Sequence, residues 1–380
     1  MVAGKKIEKS LIQSPSHLIN KVVSNSTLQK HNVYREFQER FQKTLASKFV
    51  GSLGKPILKS ETVTSNPLPQ ITAQSYTIYD MKANALLLGR KENLKREVAS
   101  LTKMMTFFTV LDLSQRFSLS LDTYSIKISK WATYQTGTSA NLKKGDEFTI
   151  TQLLYAMMLP SGNDAAFSLA EHFGDLLYQE KYQDSDYTSP TLFRAPSYCI
   201  GSWQFNDSFV KYFLKEMNVN CNRLRMFSTN FDSPHGLINK YNYSTAYDMS
   251  LLTCHCMKYS LFREVVRTKF YTAIPLNRKS VEPYVWENTN KLLEMCPSFV
   301  GCKTGITDTA GPCFSGCFEQ GGEQICIVVL NSKTMDQRWI EVPLMAEWAV
   351  KRKQISKILA KKASSEHYIQ FQKSSNCLSC

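Results

Sequence analysis

The stretch Ala99-Ser100-Leu101-Thr102-Lys103-Met104-Met105-Thr106-Phe107-Phe108-Thr109-Val110-Leu111 decides how the remainder of the 380 residues is read. Leu101, Met104, Met105, Phe108 and Leu111 recur at helical spacing, so a helix starts at or just after Ser100. Ser100 and Lys103 then stand one above the other on its first turn, with the lysine amine in reach of the serine hydroxyl. A lysine whose pKa is lowered by burial and neighbouring cations can accept that proton and activate the nucleophile. Alone, S-x-x-K is common on solvated helix faces, so the reading depends on what accompanies it.

Two further strings follow in chain order. Ser161-Gly162-Asn163 falls between helices expected at Gln152 to Leu159 and Asp164 to Leu177, and Lys303-Thr304-Gly305 falls on a strand. Each has a role beside Ser100 and Lys103. Lys303 is expected to depress the Lys103 pKa by like charge and to hold an anionic group of the substrate. The Ser161 hydroxyl is expected to bridge the two lysines and relay a proton to the leaving amine, while Asn163 bonds the lysine and a substrate carbonyl. Asn163 also suits a cap on the helix that follows it. With Ser100 at a helix start, its N–H and that of Ile306, just past Thr304 and Gly305, can form an oxyanion hole. The chemistry needs no cofactor and no metal.

Outward from these motifs, strands at both ends enclose a helical middle. Ser75-Tyr76-Thr77-Ile78-Tyr79 is rich in strand formers, Lys82-Ala83-Asn84 can turn, and Ala85-Leu86-Leu87-Leu88-Gly89 returns. Gly311 to Glu319 and Gln324 to Leu330 flank Gln320-Gly321-Gly322-Glu323, a second hairpin signal. This order predicts an α+β fold in which one antiparallel sheet, built from both chain ends, is packed with helices. The expected organisation is a basic extension over residues 1–70, with a helix at Asn32 to Lys48, then a catalytic domain over 71–350 and a basic tail over 351–380.

The net charge of +14 suggests a polyanion partner until it is counted by region. Residues 1–70 carry +7 and residues 351–380 carry +6, leaving the body near neutral. Nucleic-acid binding by the body is therefore not expected. Eleven cysteines, an odd number with Cys254/Cys256 and Cys313/Cys317 at spacings of two and four, suit reduced packing thiols rather than a zinc site or disulfide framework. Neither a signal-peptide apolar run nor a transmembrane stretch is evident, so the expectation is a soluble chain, cytoplasmic by default.

With these strings in place, the sequence resembles the serine-type D-Ala-D-Ala carboxypeptidases among the low-molecular-weight penicillin-binding proteins. The likeness extends to Pro234-His235-Gly236-Leu237, Ser244-Thr245-Ala246-Tyr247-Asp248 and Asn288-Thr289-Asn290-Lys291-Leu292-Leu293, and covers about residues 75 to 350. It implies a β-lactamase/transpeptidase-like fold with a helical subdomain against the sheet. It also implies a cleft between them, a peptide substrate ending in D-Ala-D-Ala, and β-lactams as acylating ligands. By the same resemblance, His235 neighbours the site without acting as base, and Arg338 is a cation suited to a terminal carboxylate, surface solvation being the bland alternative.

Several features depart from the family. Only thirty residues from Lys351 onward stand where the family usually has a second domain and a membrane anchor, and Lys351 to Leu359 reads as an exposed basic helix with weak capacity to touch anionic lipid. Gln179 to Gln204 has no counterpart and is expected to form a loop over the cleft. Ile306 replaces a frequent histidine, which bears on substrate preference. Glu216 with Asn220 mimics the E-x-x-x-N spacing of a deacylating β-lactamase, and Cys377-Leu378-Ser379-Cys380 is a poor prenylation signal. The competing functions are a β-lactamase-type hydrolase and a non-catalytic peptide-binding protein on the same fold.

Overall fold

A computed structural model describes residues 66–182, 209–237, 241–278 and 280–376, and the side chains of these up to residue 360. The candidate helix at Asn32 to Lys48, residues 183–204 of the candidate cleft loop, and Cys377 to Cys380 lie outside them. In chain order the elements are β1 (Ser75–Asp80), β2 (Ala85–Arg90), a 3-10 turn (Ala99–Thr102), α1 (Lys103–Arg116), β3 (Ser125–Lys127), β4 (Glu147–Thr149), α2 (Ile150–Met158), α3 (Asn163–Tyr182) and α4 (Val210–Arg223). Then come α5 (Ala246–Cys256), α6 (Ser260–Arg267), β5 (Phe270–Ala273), β6 (Tyr284–Glu287), the short α7 (Leu292–Met295), β7 (Phe299–Gly305), β8 (Cys313–Gln320), β9 (Glu323–Leu330) and α8 (Gln337–Asn376).

The main sheet has the order β2-β1-β9-β8-β7 and is antiparallel throughout, so the two chain ends meet at its centre. β1 pairs with β9 from Ser75↔Leu330 to Asp80↔Ile325, and every β1 residue is buried. The β8–β9 hairpin closes on Gly321 and Gly322, whose φ values of 57° and 77° are those a two-residue turn matched to strand twist requires. β8 starts at Cys313 rather than Gly311 because Pro312 has no N–H for the ladder. The strand's two faces address different layers, as alternation demands. Ser315 meets Thr253 of α5 at 2.6 Å, while Phe314 packs edge-on against Trp339 of α8.

The sheet is therefore sandwiched, with α8 on one face and α5 and α6 on the other, and α1 packs on α5 and joins α2, α3 and α4 in the helical part. The helix predicted from Gln152 begins at Ile150, because Thr149 and Gln152 form a reciprocal capping box, a signal present in the sequence. α8 runs unbroken through residue 351, where the basic tail was expected to begin. Lys353 pairs with Asp80 and Glu323, and Lys357 reaches Glu323 at 2.6 Å, so these turns are fastened to the strand ends. Asn66, within the expected extension, exchanges hydrogen bonds with Trp348 of the same helix. Among the described residues, no helix is long and apolar enough to cross a membrane.

Trp339 is 1% exposed and anchors α8 to the sheet. Trp339→Ala should cost about 3–5 kcal/mol in urea unfolding, the range for truncating a buried aromatic. A loss below about 1 kcal/mol would mean that α8 contributes little to the fold's stability.

Candidate active site

Four segments converge on the Lys103 amine. The 3-10 turn and first turn of α1 supply Ser100 and Lys103, the start of α3 supplies Asn163, the 233–237 turn supplies a carbonyl, and β7 supplies Lys303. Lys103 is wholly buried, and its Nζ donates to Ser100 Oγ at 2.9 Å, Asn163 Oδ1 at 2.7 Å and the His235 carbonyl at 3.2 Å. Those acceptors use all three protons of an ammonium. They do not neutralise its charge. Burial, first, and the nearby Lys303, second, push the Lys103 pKa well below the ordinary value, while Asp164 opposes them. The arrangement favours loss of one of these protons, after which the Ser100 hydroxyl donates to the amine nitrogen.

Backbone geometry fixes the serine. Ala99 has φ +48°, a left-handed conformation costly for a residue with a Cβ, and it turns the chain so that Ser100 stands at the head of α1. Gly236 packs on this turn so closely that a Cβ there would lie 2.0 Å from the Ala99 carbonyl oxygen. Thr106 Oγ1 bonds the Pro234 carbonyl at 2.5 Å, and Asn242 Nδ2 bonds Thr102 Oγ1 at 2.9 Å. The Gly236 and Pro234 contacts hold the 233–237 turn on the 3-10 turn and the first turn of α1.

On β7, Lys303 is buried and donates to the Thr304 carbonyl at 3.1 Å. Burial and Arg338 lower its pKa to about 7. Gly305 lies against the nucleophile turn, where a Cβ would stand 3.1 Å from the Ser100 nitrogen. The Ile306 side chain is 49% exposed, and Thr304 Oγ1 lies 2.7 Å from Thr289 Oγ1.

The sequence-predicted residues are thus brought together with three corrections to their contacts. Ser161 is buried at the α2–α3 loop with φ +64°, but the Lys103 donors are taken by Ser100, Asn163 and the His235 carbonyl, so the expected bridge from the Ser161 hydroxyl is absent from the lysine's bonds. Arg338 is not surface-solvated. It is buried, stacks 4.5 Å from the Trp339 ring and donates to the carbonyls of Gly305 (3.2 Å) and Cys313 (2.9 Å), so it braces the end of β7. Asn163 donates its amide to the Thr136 carbonyl at 2.6 Å, an anchor on the loop around residue 136 rather than a simple helix cap. Glu216 and Asn220 are not at the site, since Glu216 faces Arg223 at 3.7 Å and Asn220 bonds Thr109 farther along α1.

Three residues of the site escaped the sequence reading. Asp164 accepts from the N–H groups of Ala140 and Leu142 and from the Ser139 hydroxyl, and so ties the loop before α3 to the site. Gln135 Oε1 lies 3.2 Å from His235 Nε2, and Ser233 Oγ lies 3.0 Å from His235 Nδ1. Asp164 directly follows the second motif, which was a usable signal; Gln135 and Ser233 had none.

A model of the D-alanyl-D-alanine carboxypeptidase family matches residues 60–175 and 207–334. The chain is 31% identical over 286 residues to a D-alanyl-D-alanine carboxypeptidase of a Streptomyces species, covering 74% of this chain and 88% of that protein. It is 25% identical to a D-alanyl-D-alanine carboxypeptidase of Bacillus subtilis and 27% to one of Escherichia coli, of which it spans 62% and 61%. The crystal structure of a Streptomyces DD-transpeptidase superposes with a TM-score of 0.62 at 30% identity, over 74% of this chain and 98% of that one.

His235 gives a pH test of this geometry. Burial, then Lys103, lower its pKa from 6.5 to about 3, so the folded ring stays neutral while the unfolded ring binds a proton below 6.5. The unfolded state then binds more protons, and stability falls as pH drops from 6.5 toward 3, by about 1.4 kcal/mol per unit from this group. His235→Gln should remove that share of the acid slope in urea unfolding between about pH 6.5 and 4.5. An unchanged slope would mean that the ring is protonated in the folded protein.

Proposed function

We propose that this chain, which belongs to the D-alanyl-D-alanine carboxypeptidase family, is a serine DD-peptidase that cleaves a peptide ending in D-Ala-D-Ala through an acyl-enzyme on Ser100. The observation that carries the reading is the wholly buried Lys103 amine 2.9 Å from Ser100 Oγ, where burial and Lys303 push its pKa well below the ordinary value. As Ser100 Oγ bonds to the penultimate carbonyl carbon, its proton passes to Lys103 Nζ. The oxyanion that forms is held by the backbone N–H groups of Ser100 and Ile306. The C–N bond then breaks, and the leaving D-alanine amine takes up the proton from Lys103, by way of the Ser161 hydroxyl once substrate reorders the site. Water, deprotonated by the same lysine, hydrolyses the ester and restores Ser100.

β7 is an edge strand of the sheet, so a substrate can add to it as a further strand, with Thr304 and Gly305 alongside. Lys303 meets its terminal carboxylate, and that anion favours the charged lysine despite burial. Arg338 supports this contact through the Gly305 carbonyl. β-Lactams, which carry a reactive amide and a carboxylate, are proposed to acylate Ser100 in the same way. In this reading residues 71–350 carry the activity.

Incubation with a penicillin should give a mass adduct on Ser100 that Ser100→Ala lacks, and Lys103→Ala should slow acylation by roughly 10²-fold or more. Labelling of the alanine variant equal to wild type would refute the nucleophile assignment. Lys303→Gln separates binding from electrostatics. Losing the like charge raises the Lys103 pKa, so acylation by a charged penicillin should slow and its optimum move to higher pH. The move should be partial, because burial outranks Lys303 as the cause. An uncharged ester should recover most of its rate at higher pH; equal loss on both probes without a shifted profile would uncouple the lysines.

A further inference from the structure

Gly305, at one end of the sheet, abuts Ser100; the opposite end is formed by the start of β7, the β8–β9 turn and the end of β1. At that opposite end a cavity of about 400 Å³ opens between the β1–β2 turn, the C-terminal end of α5, α6 and the β8–β9 hairpin. Its size lies in the range of small-molecule sites. The apolar part of its lining is Met81, Leu251, Met257 and the half-buried thiol of Cys254.

The charged part is one-sided. Lys258, Arg263 and Arg267 stand against a single acid, Glu319. Glu319 pairs with Arg267 at 2.8 Å and accepts from Gln324 at 3.1 Å, which leaves two cations beyond the ion pair. Arg263 donates to the carbonyls of Met257 and Lys258, so the negative end of α5 is covered by a guanidinium rather than turned to the cavity. The pKa of His255, also in the lining, is lowered by burial and then by Lys258. The combination of a sulfur-rich apolar wall and a cationic rim selects a ligand with two unlike ends.

We propose that this cavity binds a small amphiphile with one anionic group, a carboxylate, sulfate or phosphate monoester, whose apolar part lies on the Met81, Met257 and Cys254 wall. The site is separate from Ser100 and independent of the peptidase assignment. Cys254 provides a built-in reporter. Two methanethiosulfonates of similar size, one carrying a sulfonate and one a trimethylammonium group, are applied to the full chain, and modification at each cysteine is followed by peptide mass spectrometry. The anionic reagent should modify Cys254 about tenfold faster than the cationic one, and Lys258→Gln with Arg263→Gln should bring the rates together. Lys258→Gln alone, which leaves the α5 cap intact, should give an intermediate ratio. The ratio at Cys296, outside the cavity, should not respond to either change.

Hexyl phosphate at millimolar concentration should slow neutral iodoacetamide at Cys254 at least fivefold, whereas inorganic phosphate and hexanol should not. Equal rates with the two charged reagents, a Cys254 that reacts with neither, or protection by hexanol as strong as by hexyl phosphate would each overturn the proposal.

Discussion

An amine removed from water without an anion to hold its proton is the constraint around which this molecule is organised. Lys103 is fully buried, and its acceptors are a hydroxyl, an amide oxygen and a backbone carbonyl. Burying an ammonium under those conditions costs several kcal/mol, and a lysine relieves the cost by losing its proton. What would be a defect in a purely structural core is, in the proposed reading, a base beside a hydroxyl. The surrounding segments each have a part in keeping it so. α3 brings Asn163, the 233–237 turn covers the amine, and β7 brings a second cation that discourages protonation. The left-handed backbone of Ala99 and Ser161 marks where the chain is strained to permit this meeting.

The sheet topology explains how such distant residues come together. β1 pairs with β9 across the middle of the sheet, which puts β7 at one edge with its Gly305 end against the nucleophile turn. Arg338 and Trp339 at the start of α8 then act from behind. The guanidinium bonds the Gly305 and Cys313 carbonyls, and the indole packs on Phe314, so β7 and β8 are held from the face opposite α5. A substrate adding to β7, as proposed, would meet a strand edge braced from behind rather than a loop.

Much of this was legible in the sequence because the signals are local. The hairpin at Gly321-Gly322 and the helix beginning near Ser100 follow from turn chemistry and apolar spacing within a few residues. The three motifs declared their chemistry through residue type. What was not legible depends on which side chain meets which across the fold. Ser161 could be assigned to the site but not denied its bond to Lys103, because the His235 carbonyl that occupies the third donor comes from a segment about 75 residues away. Arg338 could be read either as a cation for a substrate carboxylate or as a surface residue, because nothing in its sequence neighbourhood says that its guanidinium will bond the carbonyls at the end of β7. The helix expected at Lys351 to Leu359 was read as exposed from its charge composition, whereas its Lys353 finds Asp80 and Glu323 at the strand ends.

The account stands or falls on the protonation state of Lys103. Lysine labelled with ¹⁵N and ¹³C at the side-chain terminus, assigned by comparison with Lys103→Arg, lets its titration be followed by nuclear magnetic resonance in the folded, ligand-free chain. The geometry predicts a neutral amine whose titration midpoint lies well below the ordinary lysine value of 10.5. An ammonium that persists to about pH 10, as in an exposed lysine, would contradict the claim that burial and Lys303 make Lys103 a base.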